Sequence, residues 1–408
     1  MLRRGSAIGV ICKKLGRTRQ WLGKWRGRAR AEGAAALRGR SRAPRHRPRA
    51  TPERIVRAVL AARDRLARRA GRRRFAGIGA DAVAWELELS GVRPLPARRT
   101  LERILARNGR TARPARPVRP AAPHGYPAPL ARRAGDLHET DLVGPRHLRT
   151  PRGPVRFFNL HTVDVAGGGV ATGQRPDKSA ESFCRYLVEC AWPRLGLPRT
   201  WQVDNEAALA GFPAAGRVFT QPVRLALLLG VEVRFNPMGE PGRNADVESF
   251  NALWQARVLH RFETPGLARL GAVSERFERW FMEERPHPKL TLARHGTRFP
   301  GALLTSLDGE LRRIPAGFSL DPYRDAAGEL RLPLARGRIN WVRRVAEDGE
   351  LRILDHRLRL RRAANEYVVA TLATARDQLT VQLDGRVIAS YHHPIGEKVI
   401  RPLVGREG

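Results

Sequence analysis

The chain has only three cysteines among 408 residues, and long apolar runs are absent. Cys12, Cys184 and Cys190 are too scattered for a disulfide framework or for the paired spacing of a zinc site. No stretch approaches the roughly 18 consecutive apolar residues that a transmembrane helix needs, and the apolar run from Ala7 to Cys12 is too short for a signal peptide. These absences exclude disulfide-stabilised secreted proteins and integral membrane proteins, and we expect a soluble protein of the reducing cytoplasm.

Acidic residues are also scarce relative to basic ones. The chain has 76 Lys and Arg against 39 Asp and Glu, a formal net charge of +37. The excess is concentrated in residues 1–134, which hold 36 Lys and Arg but only 7 Asp and Glu. A positive field of this size attracts polyanions. We therefore expect a nucleic-acid partner and association with the nucleoid.

Three short segments each offer one carboxylate in a setting typical of a catalytic site. Asp141 lies in an alternating apolar stretch that predicts a strand, and Asp204 ends a second short strand. Glu248 follows a turn containing Asn244, at the start of a long helical pattern. Carboxylate oxygens bind hard divalent cations, and two such ions about 4 Å apart can stabilise the attacking and leaving oxygens of a phosphodiester.

This order of Asp, Asp-Asn and Asn-x-x-x-Glu resembles the integrase core of DDE transposases, the bacterial insertion-sequence enzymes of the retroviral-integrase superfamily. The resemblance covers residues 135–290. An Arg285-Pro286-His287 sequence, common at this place in the family, supports the alignment. In the family, glycine usually follows Asp-Asn and also precedes the Glu by three positions. Here Glu206 and Ala245 replace these glycines.

The resemblance implies a ribonuclease H-like α/β core in which Asp141, Asp204 and Glu248 are both the catalytic residues and the metal ligands. It further implies two Mg²⁺ (or Mn²⁺) ions. The expected partner is double-stranded DNA, both the terminal inverted repeats and the target. The resemblance also implies a homo-oligomer assembled on DNA. We expect no membrane partner.

Other polar residues near the three carboxylates are candidates for supporting roles. Glu139 shares the strand face of Asp141, so it either assists a metal or is unrelated to the site. Asn205 follows Asp204, and Asn244 lies one helical turn before Glu248, where it orients Glu248 or touches DNA. We interpret the remaining acids and histidines of this region as structural: Asp136, Asp164, Asp246, His138, His161 and His287.

Residues 1–38 predict a helix-turn-helix module. Ile8, Ile11 and Leu15 recur at helical spacing, and Thr18 precedes a second helix expected to bury Trp21, Leu22 and Trp25. The other face carries polar and basic residues suited to a major groove and its phosphates. We expect Arg17, Arg19, Gln20 and Lys24 to bind DNA there.

Residues 51–112 predict a second helix-turn-helix module, reached by a basic linker at 39–50 in which Arg45 contacts phosphates. Leu101, Ile104 and Leu105 mark the inner face of its last helix. We interpret that helix as the recognition helix, with Arg98, Arg99 and Arg103 facing DNA.

The remaining segments complete a multidomain prediction: all-α helix-turn-helix modules, an α/β ribonuclease H-like core and a small all-β C-terminal barrel. The barrel is expected because five short strands recur at roughly ten-residue spacing after residue 336. The predicted ranges are a Pro/Arg linker (113–134), the core (135–298), a linker (299–335), the barrel (336–396) and a tail (397–408).

These features favour a transposase that binds element ends and catalyses metal-dependent DNA cleavage and strand transfer, and so DNA integration and recombination. The alternative is a decayed or domesticated transposase that acts as a sequence-specific DNA-binding protein. A plain ribonuclease H-type nuclease would have no use for two helix-turn-helix modules.

Overall fold

The computed structural model describes residues 7–33, 50–72, 75–111, 125–211, 219–354, 356–392 and 401–402. The chain divides into two compact units, Met1–Glu53 and Arg54–Gly408. The predicted DNA contact Arg45 lies outside the described residues. None of the described helices is long and apolar enough to span a membrane.

Helices dominate the first third of the chain and then alternate with strands. The α-helices are α1 (Ile8–Leu15), α2 (Arg19–Glu32), α3 (Glu53–Arg72), α4 (Ala80–Leu89), α5 (Arg98–Arg107), α6 (Ala180–Tyr186), α7 (Trp192–Leu195), α8 (Ala207–Ala210), α9 (Gln221–Leu228), α10 (Ala245–Trp254), α11 (Leu267–Arg279), α12 (Leu292–His295) and α13 (Pro300–Ser306). Wider π-helical turns extend three of them, at Leu187–Ala191, Gln255–Leu259 and Trp280–Glu284. Short 3₁₀ turns lie at Pro241–Arg243, Asp321–Tyr323 and Arg361–Ala363.

The strands begin after residue 136. They are β1 (Leu137–Thr150), β2 (Gly153–Asp164), β3 (Val170–Arg175), β4 (Thr200–Val203), β5 (Glu232–Phe235), β6 (Arg338–Arg344), β7 (Glu350–Ile353), β8 (His356–Arg359), β9 (Tyr367–Ala373), β10 (Gln378–Leu383), β11 (Arg386–His392) and β12 (Arg401–Pro402). Strand β4 is the short strand that the sequence predicts immediately before Asp204, and β7 and β8 form a separate antiparallel hairpin.

The N-terminal unit contains the two predicted helices. Gly16 ends α1 in a left-handed conformation, and the Thr18 hydroxyl accepts the Trp21 N–H at 3.1 Å to cap α2. Among its described residues only Ile11 and Leu22 are buried. The prediction that Trp21 faces inward is wrong: it is 38% exposed, since two short helices supply little surface to cover it. Ile8 and Leu15 are exposed as well.

The second helical module packs around its own apolar cluster. Ile55 and Val59 of α3 meet Val83 and Leu87 of α4 and the inner face of α5. The predicted inner residues of α5 are confirmed as buried: Leu101, Ile104 and Leu105. This module provides a stable platform for the exposed face of α5.

One mixed sheet runs through the rest of the molecule, in the order β3-β2-β1-β4-β5-β6-β9-β10-β11-β12. Strands β1, β2 and β3 are antiparallel neighbours, whereas β1, β4, β5 and β6 are mutually parallel. Strands β6 and β9 to β12 then continue the sheet in antiparallel fashion. The chain is therefore a mixed α/β protein with an extended central sheet.

Two apolar cores cover opposite faces of this sheet. Alternation along β2 directs Leu160 to one face and Phe157 and Val163 to the other. Helices α6 to α9 pack on the Leu160 side around Trp192 and Trp201. Helices α10 and α11 pack on the opposite side, which is the side that carries the site described below.

The C-terminal strands differ from the predicted self-contained barrel. Strand β6 pairs in parallel with β5, so β6 and β9 to β12 extend the central sheet instead of closing on themselves. The reason is the apolar face of β6, where Ile339 and Trp341 join the main core and Trp341 stacks on Phe235 with ring centroids 6.0 Å apart.

Residues 299–335 were predicted to be a linker, but they pack against the main core. Leu320, Leu330 and Leu332 are buried in the main core. Arg312 donates to the carbonyls of Pro198 and Leu229, which ties this segment to the ends of β4 and α9. The segment is a cover for the core.

The second helical module lies against the core on the α10 side of the sheet. Phe75, between α3 and α4, is 7% exposed and contacts the rings of Phe262, Phe277 and Trp280. Arg298 forms an ion pair with Glu88 of α4 at 2.8 Å. The module is thus fixed on the core through an aromatic anchor.

We expect Phe75→Ala to lower the free energy of unfolding by about 3 kcal/mol, because it removes a buried aromatic ring and leaves a cavity. Leu89→Ala is the control, since Leu89 is 65% exposed and should change stability by less than about 0.5 kcal/mol. Urea-induced unfolding measures both. Equal effects would contradict the anchoring role of Phe75.

Candidate active site

The three predicted carboxylates lie on the α10 side of the sheet. Asp141 is on β1, and Asp204 directly follows β4, the parallel neighbour of β1. Since alternate residues share a face, Gln202 and Asp204 point to the same side as Glu139 and Asp141. Helix α10 covers this side and carries Glu248 in its first turn. Three separate elements thus contribute one carboxylate each, as the sequence predicted.

Both carboxylate oxygens of Asp141 accept a hydrogen bond. The Leu142 N–H donates to Oδ1 at 2.7 Å, and the Asn251 amide donates to Oδ2 at 2.7 Å. Asn251 lies one turn beyond Glu248 on α10. These two donors fix the plane of the carboxylate.

Asp204 is held in a similar way by two amides. Asn236, which follows β5, and Asn244, which precedes α10, both donate to Oδ1 at 3.0 and 2.9 Å. Asn236 and Asn244 are almost completely buried, so their orientations are defined by the surrounding chain. The same oxygen therefore receives donors from both ends of the segment that joins β5 to α10.

The site raises the pKa of its carboxylic acids. Burial raises the pKa of Asp141 to about 6, and the negative charges of Asp204 and Glu248 add to this effect. Burial also raises the pKa of Asp204. The charges of Asp204 and Glu248 therefore both act on Asp141.

A cavity of about 390 Å³ opens beside the first two carboxylates. Asp141 and Asp204 line it together with Asn205, Glu206 and the loop at 237–240. Within the part of the chain that the structure describes, no three His, Cys, Asp or Glu side chains stand close enough to enclose one metal ion as they are. The cavity is partly open to solvent.

The two positions at which glycine is replaced do not require glycine. Glu206 has φ −61° and ψ 140°, an extended conformation, and Ala245 is the first residue of α10. Neither has a positive φ. The loops that carry Asp204 and Glu248 therefore accept side chains at these positions without strain.

No protein-family model matches the chain. Among solved structures, the chain is similar to the simian T-cell lymphotropic virus intasome in complex with PP2A regulatory subunit B56 gamma (14% identity, 79% of this chain and 91% of that chain, TM-score 0.35). It is also similar to the HTLV-2 integrase catalytic core domain in complex with magnesium, dimeric form (13%, 38% and 90%, TM-score 0.30), and to the catalytic core domain of BIV integrase (13%, 43% and 97%, TM-score 0.28). Likenesses this weak carry no argument about this chain.

Glu139 contacts the start of helix α10, and its part in metal binding stays a prediction. Its Oε2 accepts the N–H groups of Asp246 and Val247, both at 3.1 Å, at the start of α10. A carboxylate is stabilising at the positive end of a helix. Burial nevertheless raises the pKa of Glu139 to about 7.

Asn244 supports Asp204, whereas the sequence suggested Glu248 or DNA. Because Glu139 caps α10, the Asn244 side chain is available to donate to Asp204 and to accept from Gln202 at 3.1 Å. The sequence shows that Glu139 and Asp141 share one face of a strand. It does not show that Glu139 accepts hydrogen bonds from the start of α10, 107 residues away.

Asn205 connects the site to the C-terminal strands. Its amide donates to the Asn236 carbonyl at 2.7 Å, and its Oδ1 accepts from Arg343 of β6 at 2.8 Å. Arg343 also donates to the Asn236 carbonyl at 2.8 Å, and burial lowers its pKa to about 10. Sequence reasoning missed Arg343, because nothing local distinguishes it among the many arginines of the chain.

The other acids predicted to be structural have structural partners. Asp164 accepts backbone N–H groups of Gly135, Ala166 and Gly167, and Asp136 accepts those of Arg132 and Arg133. Asp246 forms an ion pair with Lys289 at 2.7 Å.

The candidate DNA-binding side chains that the structure describes are exposed on their helices: Arg17, Arg19, Gln20, Lys24, Arg98, Arg99 and Arg103. Arg98 is engaged within its module, by ion pairs with Asp81 at 3.4 Å and Glu102 at 3.3 Å. Arg17 lies over the ring of Trp21, 5.8 Å from its centroid. Their DNA contacts remain predictions.

We expect Asp141→Asn to stabilise the metal-free protein at pH 7 by about 1 to 3 kcal/mol, since a pKa unit corresponds to about 1.4 kcal/mol. The folded state binds the Asp141 proton more tightly than the unfolded state, so this carboxyl costs stability as pH rises from about 4 to 6. The gain should therefore disappear below pH 4. Thermal unfolding across this pH range measures it, and Asp246→Asn, which loses an ion pair, should show no such gain.

Proposed function

We propose that the protein is a DDE-type transposase that binds element ends and catalyses metal-dependent DNA cleavage and strand transfer. The observation that carries the proposal is the placement of Asp141 and Asp204, from two parallel strands, beside an open cavity, with Glu248 on the helix that covers the same side of the sheet. Such a set is suited to phosphodiester chemistry, in which negative charge develops on the attacking and leaving oxygens.

The three carboxylates fit two Mg²⁺ or Mn²⁺ ions in the chemistry of their donor set. Their oxygens are hard ligands; burial, and to a lesser degree the charges of Asp204 and Glu248, raises the pKa of Asp141, and a bound cation would favour its ionised form. The bound ions would activate the attacking hydroxyl and stabilise the leaving oxygen. Because the side chains do not enclose an ion as they stand, coordination requires changes in side-chain rotamers.

The residues around the carboxylates then have distinct tasks. Asn251 and the Leu142 N–H hold Asp141, while Asn236 and Asn244 hold Asp204. Fixed ligands reduce the reorganisation needed when substrate arrives. The cavity beside them has room for the scissile phosphate of a DNA strand.

DNA binding is assigned to the basic N-terminal region. The net charge of +37 and the exposed basic faces of α2 and α5 suit a duplex, with double-stranded element ends and target as partners. Cutting and joining two ends requires two sites, so we propose a homo-oligomer on DNA.

We expect Asp141→Asn, Asp204→Asn and Glu248→Gln each to reduce end cleavage and joining at least about 100-fold, because each removes a ligand charge. DNA binding should persist, since none of these changes removes a basic contact. Asp246→Asn is the matched control on the same helix, and it should retain most activity. The assays are cleavage and strand transfer of end DNA with Mg²⁺, alongside a binding assay.

If Glu248→Gln still cleaves DNA and Asp246→Asn does not, the catalytic carboxylate of α10 is Asp246 and the assignment of Glu248 is wrong. If wild-type protein binds its end DNA but never cuts it under any divalent ion, the sequence-specific binding protein becomes the better description.

Arg99 and Arg103 lie on α5, and we expect Arg99→Ala and Arg103→Ala to reduce the preference of the protein for its DNA sequence. Arg45→Ala should instead weaken binding to all DNA sequences alike. A base contact carries about 1 to 3 kcal/mol of discrimination, and a phosphate contact carries none. Competition of the full chain between element-end and random DNA, repeated over salt concentration, measures both. Uniform losses for all three variants would remove the recognition-helix assignment.

A further inference from the structure

Behind Asp141 lies a continuous chain of buried hydrogen bonds. Asp141 and His161 are direct partners across β1 and β2, so their side chains share the α10 face. Asn251 of α10 bridges them: its amide nitrogen donates to Asp141, and its oxygen meets His161 Nδ1. His161 Nε2 in turn meets the amide of Asn159.

The directions of these hydrogen bonds are determined by their chemistry. The Asp141 carboxylate can only accept, so the Asn251 amide must present its nitrogen to Asp141 and its oxygen to His161. His161 must therefore carry its proton on Nδ1 and accept at Nε2. The amide nitrogen of Asn159 is the donor to Nε2, and it also donates to the Thr172 hydroxyl at 3.0 Å.

The surroundings keep His161 in this single state. Its side chain is completely buried, with edge-on contacts to the rings of Phe250 and Trp254 at 5.0 and 5.1 Å. Burial lowers the pKa of His161 to about 4, so the ring is neutral near pH 7. If both ring nitrogens were protonated, the Nε2–H group would face the amide N–H of Asn159, and two donors would then oppose each other.

We propose that His161 is a positioning residue for the active site: its Nδ1 proton orients the Asn251 amide, which holds the Asp141 carboxylate ready for a divalent cation. The Asn159–His161–Asn251–Asp141 series joins strand β2, helix α10 and strand β1 in one polar network. Outer partners of this kind orient metal ligands, and their loss typically costs 10- to 100-fold in metal affinity or activity. The inference rests on the proposed function of Asp141 as a metal ligand.

The first test is the affinity of the full chain for Mg²⁺ alone, measured by calorimetry in the absence of DNA. His161→Phe keeps the ring packed against Phe250 and Trp254 but has no proton to donate, and we expect about tenfold weaker binding. His161→Asn packs less well, yet its amide nitrogen lies close to the position of Nδ1. The His161→Asn variant should therefore bind Mg²⁺ more tightly than the His161→Phe variant, although it should have the lower melting temperature of the two.

A double-mutant cycle tests whether His161 acts through Asn251. If it does, Asn251→Ala alone should weaken Mg²⁺ binding, and adding His161→Phe should cause no further loss. Val273→Ala is the control, because Val273 is buried in the same core but takes no part in the network. It should lower the melting temperature without changing Mg²⁺ affinity.

Unchanged Mg²⁺ affinity in His161→Phe, or independent losses that multiply in the double variant, would overturn the positioning role while leaving the proposed function intact. Wild-type protein that neither binds Mg²⁺ nor cuts DNA would overturn both.

Discussion

The burial of neighbouring carboxylates is the constraint on which the site depends. Asp141 and Asp204 are partly buried, and the structure surrounds them with amide donors from Asn236, Asn244 and Asn251. The donors come from α10 and from the two ends of the segment between β5 and α10, so the sheet, this segment and α10 must all be formed before the carboxylates are held. The fold therefore tolerates a charge concentration that isolated segments could not maintain.

The C-terminal strands are part of this arrangement. Strand β6 pairs with β5, and Arg343 binds both Asn205 and the Asn236 carbonyl, which lie on either side of Asp204. Tyr367 of β9 donates to Glu240 at 2.6 Å, and Arg243 lies over Tyr126, 3.7 Å from its centroid. The loop that leads into α10 is thus braced by segments from both flanks of the core.

Much of the core was predictable because its signals are local. Alternating apolar residues predicted the strand of Asp141, a short apolar stretch predicted the strand before Asp204, and a helical pattern predicted the helix of Glu248, so these three candidates could be named from the sequence alone. The supporting residues could not. Arg343 meets Asn205 across 138 positions, and Asn251 meets Asp141 across 110, with no periodicity that links them. The join between β5 and β6 was missed for the same reason, since short strand patterns do not reveal their neighbours.

The parallel pairing of β5 with β6 has a consequence for synthesis on the ribosome. Val233 pairs with Ile339, so more than a hundred residues separate the two strands, and contacts this distant in sequence form late and slowly. A nascent chain that already displays its basic N-terminal helices still lacks Arg343 and the brace behind Asp204. Under the proposed function, a chain still in translation can meet DNA before its carboxylate site is assembled, and this order delays cleavage by incomplete chains.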